Sequence, residues 1–380
     1  MIVRQFLRWV QTAPAGDRAE ATSALARAYL YSDLSNDDRL AAEAAMMVLL
    51  DDPSPLVRRA LAEALQSADV APHGVIIALA SDQRDIAELV VRRSPVFSDA
   101  ELVDLVGGGA EWMQAAIAAR DPLSRAVAGA IAEVGSAHAC LVLLENPYVD
   151  ITAWTLARVA ERHGHLSAIR EALFARDDLP TETRQALVAK LSSSLSRFVA
   201  DRAWMPASRA EEIAREACDR ATVALAAGRD ADETAALVRH LVASGQLTGM
   251  LLLRVLLSGN MHFLIEAFTE LSGLSGERVA RILSDRSCAS FRALYLKAGL
   301  PDAAFKAFRV ALQAMHETGF AGDAIGASVL KRRMIERVLT QYEGMADGEV
   351  DFLFAMLRRL AAEAARDEAR YYTADLIAAA

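Results

Sequence analysis

Two histidines one residue apart, His163 and His165 in "ERHGHL", are the first residues of this chain whose type and spacing suggest chemistry. Imidazole is the commonest protein ligand for transition metals. A closed metal site needs more than two ligands, however, and no thiol or carboxylate follows at a recognisable interval. Gly164 reads instead as a helix C′ residue, beside which a histidine complements the helix dipole. His316–Glu317 stands alone and reads as a pair on a surface helix. "GGGAEW" (Gly107–Trp112) lacks the lysine and the preceding strand of a phosphate loop and reads as a link between helices. Cys140, Cys218 and Cys288 are far apart, without CxxC spacing, and read as reduced core residues. With no GxSxG, HExxH or EF-hand pattern, neither a catalytic centre nor a cofactor or metal is expected.

One charged cluster has the composition of a binding site. "LKRRMIERVLTQY" carries Lys331, Arg332, Arg333 and Arg337, suited to an acidic partner, a phosphate or an anionic membrane. The simpler reading is a solvated face paired with nearby acids. Two apolar stretches compete in the same way. Ile2, Phe6 and Trp9 read as packing under the first repeat rather than as a docking site. In "SGNMHFLIEAF", Met261, Leu264, Ile265 and Phe268 share one face, with His262 off it and Phe263 beside it, which is a core pattern.

Any such side chains must be held by helices. The chain has 380 residues, 53% of them hydrophobic but only 6% aromatic, so small side chains carry much of the packing. Alanine favours helix and lets helices approach closely. Net charge is −9, which disfavours general nucleic-acid binding. Most of the net negative charge lies in residues 1–200, with 26 acids against 19 bases. "MIVRQFLRWV" is interrupted by Arg4 and Arg8, and "LTGMLLLRVLL" is short and carries Arg254, so neither a signal peptide nor a membrane span is expected. The expected location is cytoplasmic.

The most legible element is "LLDDPSPLVRRALAEALQ". Ser54 is placed to cap and Pro55 to occupy N1, where its missing N–H costs nothing. Leu56, Val57, Ala60, Leu61, Ala64 and Leu65 then recur at helical spacing. The design returns with Asp121 and Pro122, and with Asn146 and Pro147, in the cap and N1 roles. The turn residues Asp52, Asp82, Asp121, Asn146 and Asp178 are separated by 30, 39, 25 and 32 residues, which is irregular but near the length of a helix pair.

"DDPSPLVRRALAEAL" resembles the HEAT repeat, with Asp52, Val57 and Arg58 in matching positions. In that family the Asp and Arg are structural and tie adjacent repeats, so the resemblance implies that role here. It covers about residues 17–195. The whole chain also resembles a bacterial family of uncharacterised HEAT-like proteins, which supports the fold and implies no reaction. HEAT-like iron hydroxylases carry several His-Glu pairs, and this chain has one.

Beyond "SSSLSRFVADRAWMP" (Ser192–Pro206), Ser208 with Glu211 reads as a capping box and Asp230 with Glu233 opens another helix. Gly245, Gly259, Gly273 and Gly299 punctuate those that follow. The expected fold is all-α, an α-α superhelix (HEAT/ARM-like solenoid) of about twenty irregular helices. Two regions are expected: 1–195, HEAT-like, and 205–380, continuing the solenoid. The expected function is a non-enzymatic scaffold or adaptor that binds another protein, through an extended surface, at a basic or helical segment of that partner. One alternative is a nucleic-acid repair factor of DNA glycosylase-like type, which needs Arg58, Arg59, Arg92, Arg93, Arg120 and Arg125 in one groove. Another is a signalling adaptor that responds to a small anionic ligand.

Overall fold

The computed structural model describes residue 6 and residues 8–285, 289–318, 332–340 and 351–378. Among these every regular element is a helix and none is a strand. No helix among them is long and apolar enough to cross a membrane. The chain forms two compact units, Met1–Leu179 and Pro180–Ala380.

The first unit contains α1 (Ala15–Tyr31), α2 (Asn36–Leu49), α3 (Pro55–Leu65), α4 (His73–Ala80) and α5 (Arg84–Arg93). It continues with α6 (Asp99–Gly108), α7 (Glu111–Ala118), α8 (Arg125–Val134), α9 (Ala137–Glu145), α10 (Ala153–His163) and α11 (Ser167–Phe174). Several begin at hydroxyl caps. Ser35 accepts from Asp38 N, and Ser98 with Glu101 forms a complete capping box that satisfies two end amides reciprocally. Pro55 does occupy N1 of α3, but the Ser54 side chain makes no cap bond; its backbone N–H donates to Asp52 instead, at 2.8 Å. Val57, Leu61, Ala62 and Leu65 are the buried face of α3, whereas Leu56 lies in solvent.

Two of the expected helix starts are corrected. Asp121 does not cap and Pro122 is not N1: α8 begins at Arg125, and Ser124 accepts from Val127 N. Asn146 and Pro147 likewise precede α10 by several residues, and Thr152 caps it. A serine or threonine just before each helix captures the end amide that the more distant Asp and Asn cannot reach.

Helices of this unit pack on their second neighbours. One row runs α1 on α3, α5, α7, α9 and α11; a second runs α2 on α4, and α6 on α8 and α10. This resolves the irregular spacing. Asp52 and Asp82 sit in turns leading into a first-row helix, whereas Asp121, Asn146 and Asp178 follow one. The interval of 39 spans the change from one kind of turn to the other.

The second unit opens with the hairpin α12 (Thr181–Asp201) and α13 (Ala207–Ala226). Ser192–Ser194 therefore lie inside α12, and the hydroxyls of Ser193 and Ser194 bond back to the Lys190 carbonyl. The expected Ser208–Glu211 box is absent, because α13 starts two residues earlier, with Pro206 at the N-cap. Then come α14 (Ala231–Ala243), α15 (Gly249–Leu257), α16 (Met261–Ser272), α17 (Gly276–Ser284), α18 (Phe291–Lys297) and α19 (Asp302–Thr318). Residues 332–340 form α20, and α21 spans Asp351–Ala378. Asp230 caps α14 through Glu233 N at 2.8 Å. The four glycines read as punctuation all take positive φ, between 66° and 78°, a conformation that L side chains rarely adopt.

This unit packs a cluster of aromatic rings. Phe268, Phe291, Tyr295, Phe305 and Phe308 form a continuous set of ring contacts with centroids 5.2–6.0 Å apart. The Tyr295 hydroxyl donates to Pro301 O at 2.7 Å, so its burial leaves no orphaned group. Phe263, placed beside the core face in sequence, is fully buried, while Met261 is only partly so.

Candidate functional site: a helix-lined groove and an arginine-lined cavity

Asp52 and Arg58 are held in ties that cross between helix ends. Arg18 grips Asp52 with two bonds of 2.8 Å, and Asp52 also accepts from Ser54 N. In the next first-row helix, Arg58 grips Asp82 at 2.6 and 3.0 Å and donates a third bond to Asp52 O at 2.7 Å. Burial opposes both carboxylates' ionisation, but the guanidinium bonds prevail and hold Asp52 and Asp82 below the usual carboxylate range. Val57 is fully buried beneath this ladder.

At the other turns the ties change chemistry. Arg120 is buried and donates to the carbonyls of Val91 and Ser94. Asn146 is buried and donates to the carbonyls of Ala118 and Arg120, each at 2.9 Å. Asp121 is exposed beside these groups. Arg176 reaches Leu144 O at 3.2 Å while pairing with Asp178. Each tie satisfies carbonyls at helix ends that lack partners within their own helix.

The histidines hold no common centre. His163 Nε2 lies 3.3 Å from Gly135 O, and burial pushes its pKa down. Gly164 does end α10, although with φ −62° rather than a left-handed conformation. His316 Nε2 meets Leu283 O at 2.9 Å. No group of three potential metal ligands exists among the described residues. Cys140 and Cys218 are buried free thiols; Cys140 is pushed up to about 11 by burial. Cys288 lies outside the described residues. "GGGAEW" spans the end of α6 and the start of α7.

A groove of about 760 Å³ opens along three successive first-row helices. Arg84, Glu88 and Arg92 of α5 form one wall, and His138 and Val142 of α9 the other. Between them α7 presents Trp112, Ala115 and Ala119. The Arg84 guanidinium lies 5.7 Å from the Trp112 ring centroid. Of the six arginines whose convergence a repair factor would need, only Arg92 lines the groove. Arg58, Arg120 and Arg125 are committed to Asp82, to main-chain carbonyls and to Asp150 respectively. Arg59 pairs with Glu63, and Arg93 donates to Gln66.

Two of the four residues of the expected cationic cluster, Arg332 and Arg337, are engaged with acids. Lys331 lies outside the described residues. Arg332 Nε is 3.5 Å from Glu336, and Arg337 is paired with Glu317. Arg333 and Arg337 border an open hollow beside α19 together with Glu317 and Glu336, so acids and bases balance there.

A cavity that sequence spacing did not disclose lies in the second unit. It measures about 620 Å³ and is bordered by Arg220, Arg229, Arg254, Arg366 and Arg370, with Glu363 the one acid among its lining residues. Glu363 is shared, lying 3.3 Å from Arg220 and 3.2 Å from Arg254. Arg254 is buried, whereas Arg220 and Arg366 are exposed. Next to Arg220 on α13, Asp219 is pushed up to about 6 because burial outweighs the attraction of Arg254 and Arg215.

These features define an all-helical protein of two units whose recurrent polar residues tie helix ends together. Residues 86–346 match the family described as "Uncharacterised protein conserved in bacteria (DUF2336)", and the chain belongs to that family. No curated protein and no solved structure matches it. The match takes in most of the groove and the cavity arginines Arg220, Arg229 and Arg254, and ends before α21 supplies Glu363, Arg366 and Arg370.

Proposed function

We propose that this protein is a HEAT-like helical-repeat scaffold that binds a helical segment of another protein in the groove of its first unit. The observation that carries the reading is the lining of that groove by corresponding faces of α5, α7 and α9. Stacked helix pairs bury a shared core and leave a row of equivalent helices open to a partner. Small side chains on α7 let a partner helix approach closely, Trp112 offers an apolar anchor, and Arg84, Glu88 and Arg92 supply polar register along the wall. The polar repeat residues support the same reading, since their bonds run to helix ends and leave the groove clear.

The test is quantitative co-purification of the full chain against Ala115→Arg and Arg92→Glu, with Arg27→Glu on α1 as a control outside the groove. A discrete partner retained by the wild type and the control, but lost with either groove variant, is the expected result. Retention by all variants, or turnover of a metabolite by the purified protein without a partner, overturns the proposal.

A further inference from the structure

The cavity of the second unit gathers positive charge in a chain whose net charge is −9. Its guanidinium groups come from four places in the fold: Arg220 on α13, Arg229 in the turn after it, Arg254 on α15, and Arg366 with Arg370 on α21. Acids offset part of this charge. Glu363 serves both Arg220 and Arg254, and Glu233 lies 3.4 Å from Arg229. Arg220, Arg254 and Arg366 face the single lining carboxylate Glu363, and Asp219 also attracts Arg254, so guanidiniums still outnumber carboxylates among these groups. Arg366 has no ion-pair partner among the described residues.

The rest of the wall suits an anion as well. Asn260 and His262 bring the start of the twelve-residue helix α16 to the cavity. Asn260 is fixed there by its bonds to Phe263 N and Ala226 O, at 3.1 and 3.0 Å. A helix start adds positive potential to that of the arginines. Val223, Ala224 and Ala227 supply apolar surface, so the cavity also has room for an uncharged moiety. Its volume falls in the usual range for small-molecule sites.

We infer that this cavity binds a nucleotide-sized, phosphate-bearing anion, held by Arg220, Arg254 and Arg366. Planar guanidinium forks match phosphate oxygens two at a time, and several converging forks favour a ligand with more than one phosphate. The expected anion site thus moves from the Lys331–Arg337 segment, where acids are interleaved, to a cavity where arginines are in excess. This inference is independent of the groove.

The full chain is melted with inorganic pyrophosphate, ATP or citrate, and vesicle co-sedimentation is measured with and without anionic phospholipid. Pyrophosphate or ATP is expected to raise the melting temperature saturably, by about 5–10 °C at a hundred times Kd. Arg366→Glu, at an exposed position, and Arg220→Met should each weaken binding at least about tenfold, the loss of one good charged contact. Binding of anionic vesicles alone, lost in both variants, would assign the same phosphate chemistry to a lipid headgroup. The inference is overturned if no phosphate-bearing probe binds at millimolar concentration, if citrate equals pyrophosphate, or if both variants bind as the wild type does. Arg92→Glu in the groove must leave binding intact, which separates failure here from failure of the scaffold reading.

Discussion

Arg58 and Arg59 are adjacent, identical in chemistry and opposite in use. Arg58 makes two bonds to the Asp82 carboxylate and one to Asp52 O, with its side chain 16% exposed. Arg59 is 48% exposed and pairs with Glu63 one turn away. Replacing Arg58 by Met keeps most of its aliphatic length and removes all three bonds. Hydrogen bonds to charged groups contribute about 1.5–3 kcal/mol each when well buried. Solvent at this site reduces that, and Asp82 keeps its bond to Gln83 N, so the expected cost is about 2–3 kcal/mol in total. For a unit of this size that lowers the unfolding midpoint by about 5–10 °C. Arg59→Met should leave the midpoint unchanged. The pH dependence adds a sign. Asp82 is held below its ordinary pKa, so the tie's contribution is present at neutral pH and is lost as pH falls through the folded-state value. The deficit of Arg58→Met must therefore narrow on acidification. Hydrogen exchange of the full chain should show lost protection first in α3 and α5, which Arg58 links. Equal costs for the two variants, or a deficit independent of pH, would refute the assignment of Arg58 as a tie between repeats.

Asn146→Leu should be destabilising by about 2–4 kcal/mol in denaturant titration, because it strands the carbonyls of Ala118 and Arg120 in a buried turn. Asp121→Ala, in the position equated with it by sequence, should be silent. Asp219→Asn should stabilise the chain at pH 8 by up to about 3 kcal/mol and give no gain at pH 4. A carboxyl whose folded pKa is raised contributes stability below its unfolded value and loses it as pH rises through about 6; a gain at both pH values would contradict this. Phe308→Ala should cost about 3–5 kcal/mol by opening the aromatic cluster, read as an early loss of near-ultraviolet dichroism.

The all-helical class was legible because helical periodicity and turn punctuation are local signals. Pro55 and the positive-φ glycines Gly245, Gly259, Gly273 and Gly299 are cases where one residue type answers one backbone demand. The Asp52–Arg58 tie was legible only through a resemblance, since its other partners, Arg18 and Asp82, lie 34 and 24 residues from the residues they hold. Arg120 and Asn146 could not be read at all, because their acceptors are main-chain carbonyls that any residue carries. Asp121 and Asn146 looked equivalent because each precedes a proline. The cap that matters is the hydroxyl residue nearest the first free amides, and Ser124 and Thr152 win that competition.

The cavity was hidden for a further reason. Arg220 and Glu363 are 143 residues apart, and Arg254 sits in a helix whose other residues are all uncharged and mostly leucine and valine, where charge is least expected. A net charge of −9 describes the field far from the protein, not the potential inside a cleft. In the first unit Arg18, Arg58 and Arg120 are consumed by their own chain, matched to carboxylates or to carbonyls at helix ends. In the second unit one carboxylate, Glu363, is divided between two guanidiniums, and Arg366 stands on the same rim. Like charges held together in a partly desolvated cavity oppose folding, and α21 must bring Arg366 and Arg370 up against Arg220 and Arg254 to complete it. An anion that bridges them would relieve that repulsion and draw α21 onto α13 and α15. Ligand occupancy and the docking of α21 should therefore be coupled, and pyrophosphate should protect the backbone amides of α21 from exchange more than those of α12, which does not border the cavity.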